Sequence, residues 1–203
     1  MIVLDTCTAI NCFNFSKSWN TNLHKRCPTR SILWDTKPDS ELLGLSRNTA
    51  KYSDYRDRIN NSSNTIKFNM DTDLTEDEFL SYVTFIDEIT TNDTALLLAD
   101  LRRKNQSFNL AELKQNGKKR LSNVDKDLIA LSLIKVNSIL ASDDNRILTL
   151  IEKYYTSQLF CCSAKILEKT NSITCTKDLK KKLTDKKIYY FETRHKKNTL
   201  TLC

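Results

Sequence analysis

Short apolar runs that stop on an acid constrain this chain more than any other feature. MIVLD ends at Asp5, RSILWD ends at Asp35, and SILAS leads straight into the adjacent pair Asp143 and Asp144. A brief, unbroken apolar run is the pattern of a strand covered on both faces. SQLFCC is a fourth run of this kind. Helical signals fall between the runs. CTAINCFNF follows Asp5 directly, and DTKPDSELLGL places Pro38 in an opening turn with Glu41 just inside. In LTEDEFLSYVTFIDEIT, Thr75 and Glu78 have capping-box spacing, and Phe79, Val83 and Ile86 share one face, expected to meet the core or a second subunit. A separate helix is expected from about Asp93 to Lys104. RLSNVDKDLIALSLIKVN has a cap near Ser122 and turns almost wholly apolar after Asp127, as a buried helix does. SAKILEKT and TKDLKKKL read as closing helices, and the polar residues 46–74 as loop. Strands that alternate with helices predict the α/β class with a mainly parallel sheet.

That sheet gives the acids a meaning. In open parallel sheets ligands bind beyond the carboxyl ends of the strands. Asp5 stands at one such end, and Asp143 and Asp144 at another. Asp125 opens the helix leading into the third run, and Glu41 opens the helix after the second. Adjacent carboxylates repel each other and call for water or a cation. Acids at four positions on one rim, one of them the Asp143–Asp144 pair, therefore predict a hard divalent cation, Mg²⁺ or Mn²⁺, held by oxygen ligands.

Composition closes off other chemistries. The 203 residues suit one domain with a sizeable core. Glycine occurs only twice, which excludes a P-loop or a dinucleotide fingerprint. Seven cysteines without a CxxC pair, beside two histidines, argue against a zinc site and for reduced thiols in a cytoplasmic protein. No apolar run is long enough to cross a membrane, and MIVLD has no basic leader. The net charge of +7 is concentrated: residues 1–150 hold 20 basic and 20 acidic residues, residues 151–203 hold 12 and 5. Lys180, Lys181, Lys182, Lys186 and Lys187, with Tyr189, Tyr190 and Phe191 nearby, are the expected polyanion-binding residues. Arg102, Arg103, Lys118, Lys119 and Arg120 are the alternative path. From Phe68 to Leu101 there are nine acidic and no basic residues, so that segment is expected to lie away from a phosphate chain.

MIVLDTCTAI, SELLGL and LSNVDKDLIALSLIKVNSILASDDNRI resemble the PIN-domain nucleases, a family that includes VapC-type toxins and ribosome-processing endonucleases. The resemblance is strongest in LSNVDKDLIAL and ILASDD. It implies a single three-layer α/β/α domain over residues 1–203, with a polar and helical insertion around 46–120 and a basic C-terminal segment over 170–203. It implies that Asp5, Glu41, Asp125 and Asp144 bind the metal and carry catalysis, and that Ser142 takes the family's hydroxyl position. Asp127 competes with Asp125, Glu76 or Glu78 with Glu41, and Asp143 is a further acid at the site. The implied activity is Mg²⁺- or Mn²⁺-dependent cleavage of single-stranded RNA by water, in a toxin or defence nuclease. Its implied partners are RNA, a second copy, and an antitoxin or other regulatory protein. The competing expectation is a PIN-like RNA-binding or protein-interaction module that no longer cleaves.

Overall fold

A computed structural model describes residues 1–103 and 120–170. Five strands form one all-parallel sheet: β1 (Ile2–Leu4), β2 (Ile32–Asp35), β3 (Thr65–Phe68), β4 (Ile139–Ala141) and β5 (Leu159–Cys161). Their spatial order is β3-β2-β1-β4-β5. Ile2 pairs with Ile32 on one side and with Ile139 on the other. The chain thus builds outward from β1 to β2 and β3, then returns to add β4 on β1's other side. The α/β, mainly parallel expectation holds.

The described helices are α1 (Thr6–Phe15), α2 (Trp19–Arg26), α3 (Thr36–Ser46), α4 (Lys51–Asn60), α5 (Met70–Asp73), α6 (Glu76–Arg103), α7 (Asn123–Ile134), α8 (Asn145–Tyr154) and α9 (Ser163–Thr170). Helices α1, α2, α3, α4 and α9 pack among themselves, and α6 packs on α7 and α8. The two groups flank the sheet in three layers. Every residue of β1, β2 and β4 is buried, which is why those strands read as unbroken apolar runs. Trp19, Trp34, Phe13 and Phe160 are the bulkiest fully buried side chains.

Two expectations about these elements need correction. Residues 46–74 are not a loop; they hold α4, β3 and α5. Their signal was faint because α4 buries only Tyr55 and Ile59, and β3 is an edge strand that buries only Phe68. Residues 76–103 form one helix rather than two. Thr84, Thr91 and Thr94 turn their hydroxyls back onto carbonyls four residues earlier, so these side chains find acceptors within one continuous helix. Asp93 caps nothing and points to other partners. On α6 the core side carries Tyr82, Phe85, Ile86 and Ile89, whereas Phe79 and Val83 are exposed along with Leu80. The Thr75–Glu78 capping box forms as expected.

Cys7, Cys12, Cys161 and Cys162 form no disulfide. Cys27 is disulfide-bonded, against the expectation that all seven stay reduced. Among the described residues no helix is long and apolar enough to cross a membrane.

Candidate functional site

The strand order reverses direction between β1 and β4, so this pair flanks the sheet's topological switch point. Loops leaving two neighbouring strands there diverge to opposite sides, and a crevice opens between them. Asp5 leaves β1 at this point, and Ser142 leaves β4. The strands remain paired to their ends: Asp5 N–H donates to the Ala141 carbonyl at 3.0 Å.

Asp5 also caps α1. Its Oδ2 accepts from Ser142 Oγ at 2.7 Å and from Cys7 Sγ at 2.8 Å. Ser142 Oγ in turn accepts from the Asp144 N–H at 3.0 Å. One hydroxyl thus links the first predicted acid to the backbone of the last. Burial pushes the Asp5 carboxyl up to about 6; the carboxylates of Asp125 and Asp143 add to this, and the bonds from Cys7 and Ser142 oppose it. Burial also pushes the Cys7 thiol well above its ordinary value, followed by the field of Asp5, so the thiol stays a donor.

Asp144 caps α8, where its Oδ1 accepts from the Arg146 N–H at 2.7 Å. Asp125 sits in a capping box at the start of α7, with Oδ2 accepting from the Ser122 N–H at 2.8 Å. Burial raises its carboxyl; Asp144 adds to this, while the Ser122 bonds and Arg146 pull the other way. Glu41 Oε2 accepts from Thr6 Oγ1 at 2.7 Å, which sets α3 against the residue that follows Asp5. The four predicted acids therefore stand at the C-terminal edge of the sheet, three of them coupled through their fields.

Of the competing acids, Asp127 and Glu78 are engaged elsewhere. Asp127 accepts from Lys37 Nζ at 2.8 Å and from Tyr82 O–H at 2.7 Å, tying α7 to α3 and α6. Glu78 pairs with Lys135 at the far end of α7. Asp143 is buried, with one oxygen accepting from Asn11 at 2.6 Å and the other from the Ser163 N–H at 2.7 Å, so it fastens α1 and α9. Asp35 caps α3 and accepts from the Met70 N–H at 3.0 Å. Replacing Asp127 with Asn is expected to cost about 3 kcal/mol, because Lys37 loses its partly buried partner. Thermal melting checks this, and an unchanged transition would contradict it.

The donors on the rim are carboxylate oxygens, the type a hard divalent cation prefers. None of Asp5, Glu41, Asp125 and Asp144 makes an ion pair among the described residues, whereas Asp127, Glu78 and Asp93 do. Even so, no group of three His, Cys, Asp or Glu side chains among the described residues is arranged to hold a metal ion. Lys180, Lys181, Lys182, Lys186 and Lys187 lie outside the described residues, as do Lys118 and Lys119. Sequence reasoning missed Thr6, Cys7, Asp93 and Arg146. Their partners are either one or two residues away and hidden by ordinary capping, or distant in sequence: Arg146 Nη2 donates to Asp93 Oδ1 across 53 positions, at 2.7 Å. No protein-family model matches the chain, and neither a curated protein nor a solved structure matches it.

Proposed function

We propose that this chain is a PIN-like endoribonuclease that depends on Mg²⁺ or Mn²⁺ and cuts single-stranded RNA by water attack. The observation that carries this reading is the meeting of Asp5 and the Asp144 loop at the switch point, bridged by Ser142. Asp125 and Glu41 supply further oxygens on the same edge. Asp5, Asp144, Asp125 and Glu41 would hold the divalent cation, which would activate a water for attack and offset charge on the scissile phosphate. The chain's own residues prepare that site. Ser142 and Cys7 hold Asp5 in one orientation. The N-terminal ends of α1 and α8 place their N–H groups behind Asp5 and Asp144. Thr6 holds Glu41 beside Asp5. Purified protein should cleave a mixed single-stranded RNA with Mn²⁺ or Mg²⁺ and not with EDTA; cleavage unaffected by EDTA would contradict the reading.

The rim is negative and cannot attract RNA by itself. The lysines at 180, 181, 182, 186 and 187 supply the attraction in this reading. Replacing three of them with Gln should weaken binding to all sequences and reduce the log–log salt slope by about 2, at about 0.7 per lost contact. Turnover at saturating RNA should hardly change, since such contacts serve substrate and transition state alike. Salt-dependent binding isotherms check this, and an unchanged slope would move the RNA path to Arg102, Arg103, Lys118, Lys119 and Arg120.

A second reading, a PIN-like module that binds without cutting, is favoured by the absence of a preassembled three-ligand group among the described residues. The same cleavage assay separates the two.

A further inference from the structure

Helix α6 is the longest described element and belongs to the segment the sequence set apart as an insertion. Its packing on α7 is nonetheless directed at the acidic rim. The two helices run antiparallel and are latched at both ends. At one end Glu78 pairs with Lys135, the C-cap of α7. At the other, three residues of α6 grip the N-terminal end of α7. Lys126 Nζ donates to Thr90 Oγ1 at 3.2 Å, Arg120 Nη2 donates to Thr94 Oγ1 at 3.2 Å, and the Leu121 N–H donates to Asp93 Oδ2 at 3.2 Å.

Asp93 does more than the two threonines. It is buried, with 4 % of its surface exposed, and its second oxygen accepts from Arg146 of α8 at 2.7 Å. Leu121 precedes Ser122, the cap that holds Asp125. Arg146 is the residue whose own N–H holds Asp144. A single carboxylate on α6 is therefore bonded to both segments that present acids from α7 and α8. A buried carboxylate with an N–H on one oxygen and a guanidinium on the other has little freedom, because moving either group leaves a charge unpaired.

We propose that Asp93 is a positioning residue for the rim: by clamping Leu121 and Arg146 together it sets the separation of Asp125 and Asp144. The proposal rests on the ribonuclease reading for its catalytic consequence, and on the geometry alone for the clamp. Partners one step behind the ligands typically change metal affinity or activity by about 10- to 100-fold when removed.

The test compares Asp93→Asn and Arg146→Gln with Lys135→Gln, which opens the latch at the opposite end of α7, about 15 Å along the helix from Asp125. In metal-free protein, hydrogen exchange over residues 121–126 and 143–148 should quicken together in Asp93→Asn, by about 10-fold or more. Lys135→Gln should leave both segments protected. In Mn²⁺ titrations followed by melting temperature and by cleavage, the midpoint should rise about 10-fold in Asp93→Asn and Arg146→Gln and stay fixed in Lys135→Gln. Turnover at saturating Mn²⁺ should recover most of its value. Unchanged exchange in either segment overturns the clamp. Faster exchange with an unmoved Mn²⁺ midpoint overturns the positioning role. If the unsubstituted protein shows no Mn²⁺ response, the ribonuclease reading falls and takes the positioning role with it, while the exchange data still decide the clamp.

Discussion

Replacing Asp5 with Asn is expected to abolish cleavage, by about 10³-fold or more, and at the same time to stabilise the metal-free protein. The loss follows from removing a central carboxylate of the proposed site, a change that in other hydrolases costs at least this much. The gain follows from burial. The Asp5 carboxyl titrates near 3.8 in an unfolded chain and near 6 in the fold. Between those values the native state holds a proton that the unfolded state has released. Stability therefore falls as pH rises through the window, and at neutral pH the fold carries a penalty on the order of 2–3 kcal/mol. Asp35, Asp125 and Asp143 are shifted in the same direction by burial and add to the slope. Glu78, held low chiefly by Lys135, works against it. Asn at position 5 keeps the shape and removes the charge. Melting in EDTA should show a higher transition for Asp5→Asn at pH 7.5, with the difference shrinking towards pH 4. A variant that melts lower at every pH would mean that Asp5 is stabilised by its donors more than it is penalised by burial.

The second large effect is stabilisation by divalent cations. A ligand that binds only the native state at 100 times its dissociation constant contributes about 2.7 kcal/mol. For a domain of this size that corresponds to a rise in melting temperature of roughly 5–10 °C. Mn²⁺ should support cleavage at lower concentration than Ca²⁺, which tolerates looser and higher coordination. Asp144→Asn should lose most of the rise. Coincident melting curves in EDTA and in millimolar Mn²⁺ would count against a metal site on this rim.

The strands β1, β2 and β4 were legible in the sequence because full burial makes each a short apolar run, and the edge strand β5 was legible because Leu159, Phe160 and Cys161 are all apolar although Leu159 is exposed. β3 was not, since an edge strand that leaves Ile66 and Lys67 exposed looks like its polar surroundings. The amphipathic α8, with Ile147, Leu148, Leu150 and Ile151 buried, was not legible because Thr149 and the polar ends Asn145, Arg146, Glu152 and Lys153 break its apolar residues into pairs. The acids at strand ends were legible for two reasons that coincide. An aspartate after a strand caps the next helix, and it also points at the sheet's carboxyl edge; Asp5 and Asp144 do both. The choice between Asp125 and Asp127 was not legible. Two residues apart on a helix are about 200° apart around its axis, and only the position of Lys37 and Tyr82 shows which face meets the rim. The Thr6–Glu41 and Asp93–Arg146 contacts join residues 35 and 53 positions apart, a range over which no local pattern operates.

The central claim is that the carboxylates at the switch point between β1 and β4 cut RNA with a divalent cation. The most direct measurement incubates a labelled mixed single-stranded RNA with the unsubstituted protein and with Asp144→Asn, purified in parallel, in millimolar Mn²⁺ and in EDTA. The account predicts cleavage only by the unsubstituted protein in Mn²⁺, with Asp144→Asn folded and inactive. Equal cleavage by both proteins, or no cleavage by the unsubstituted protein in Mn²⁺, would contradict it.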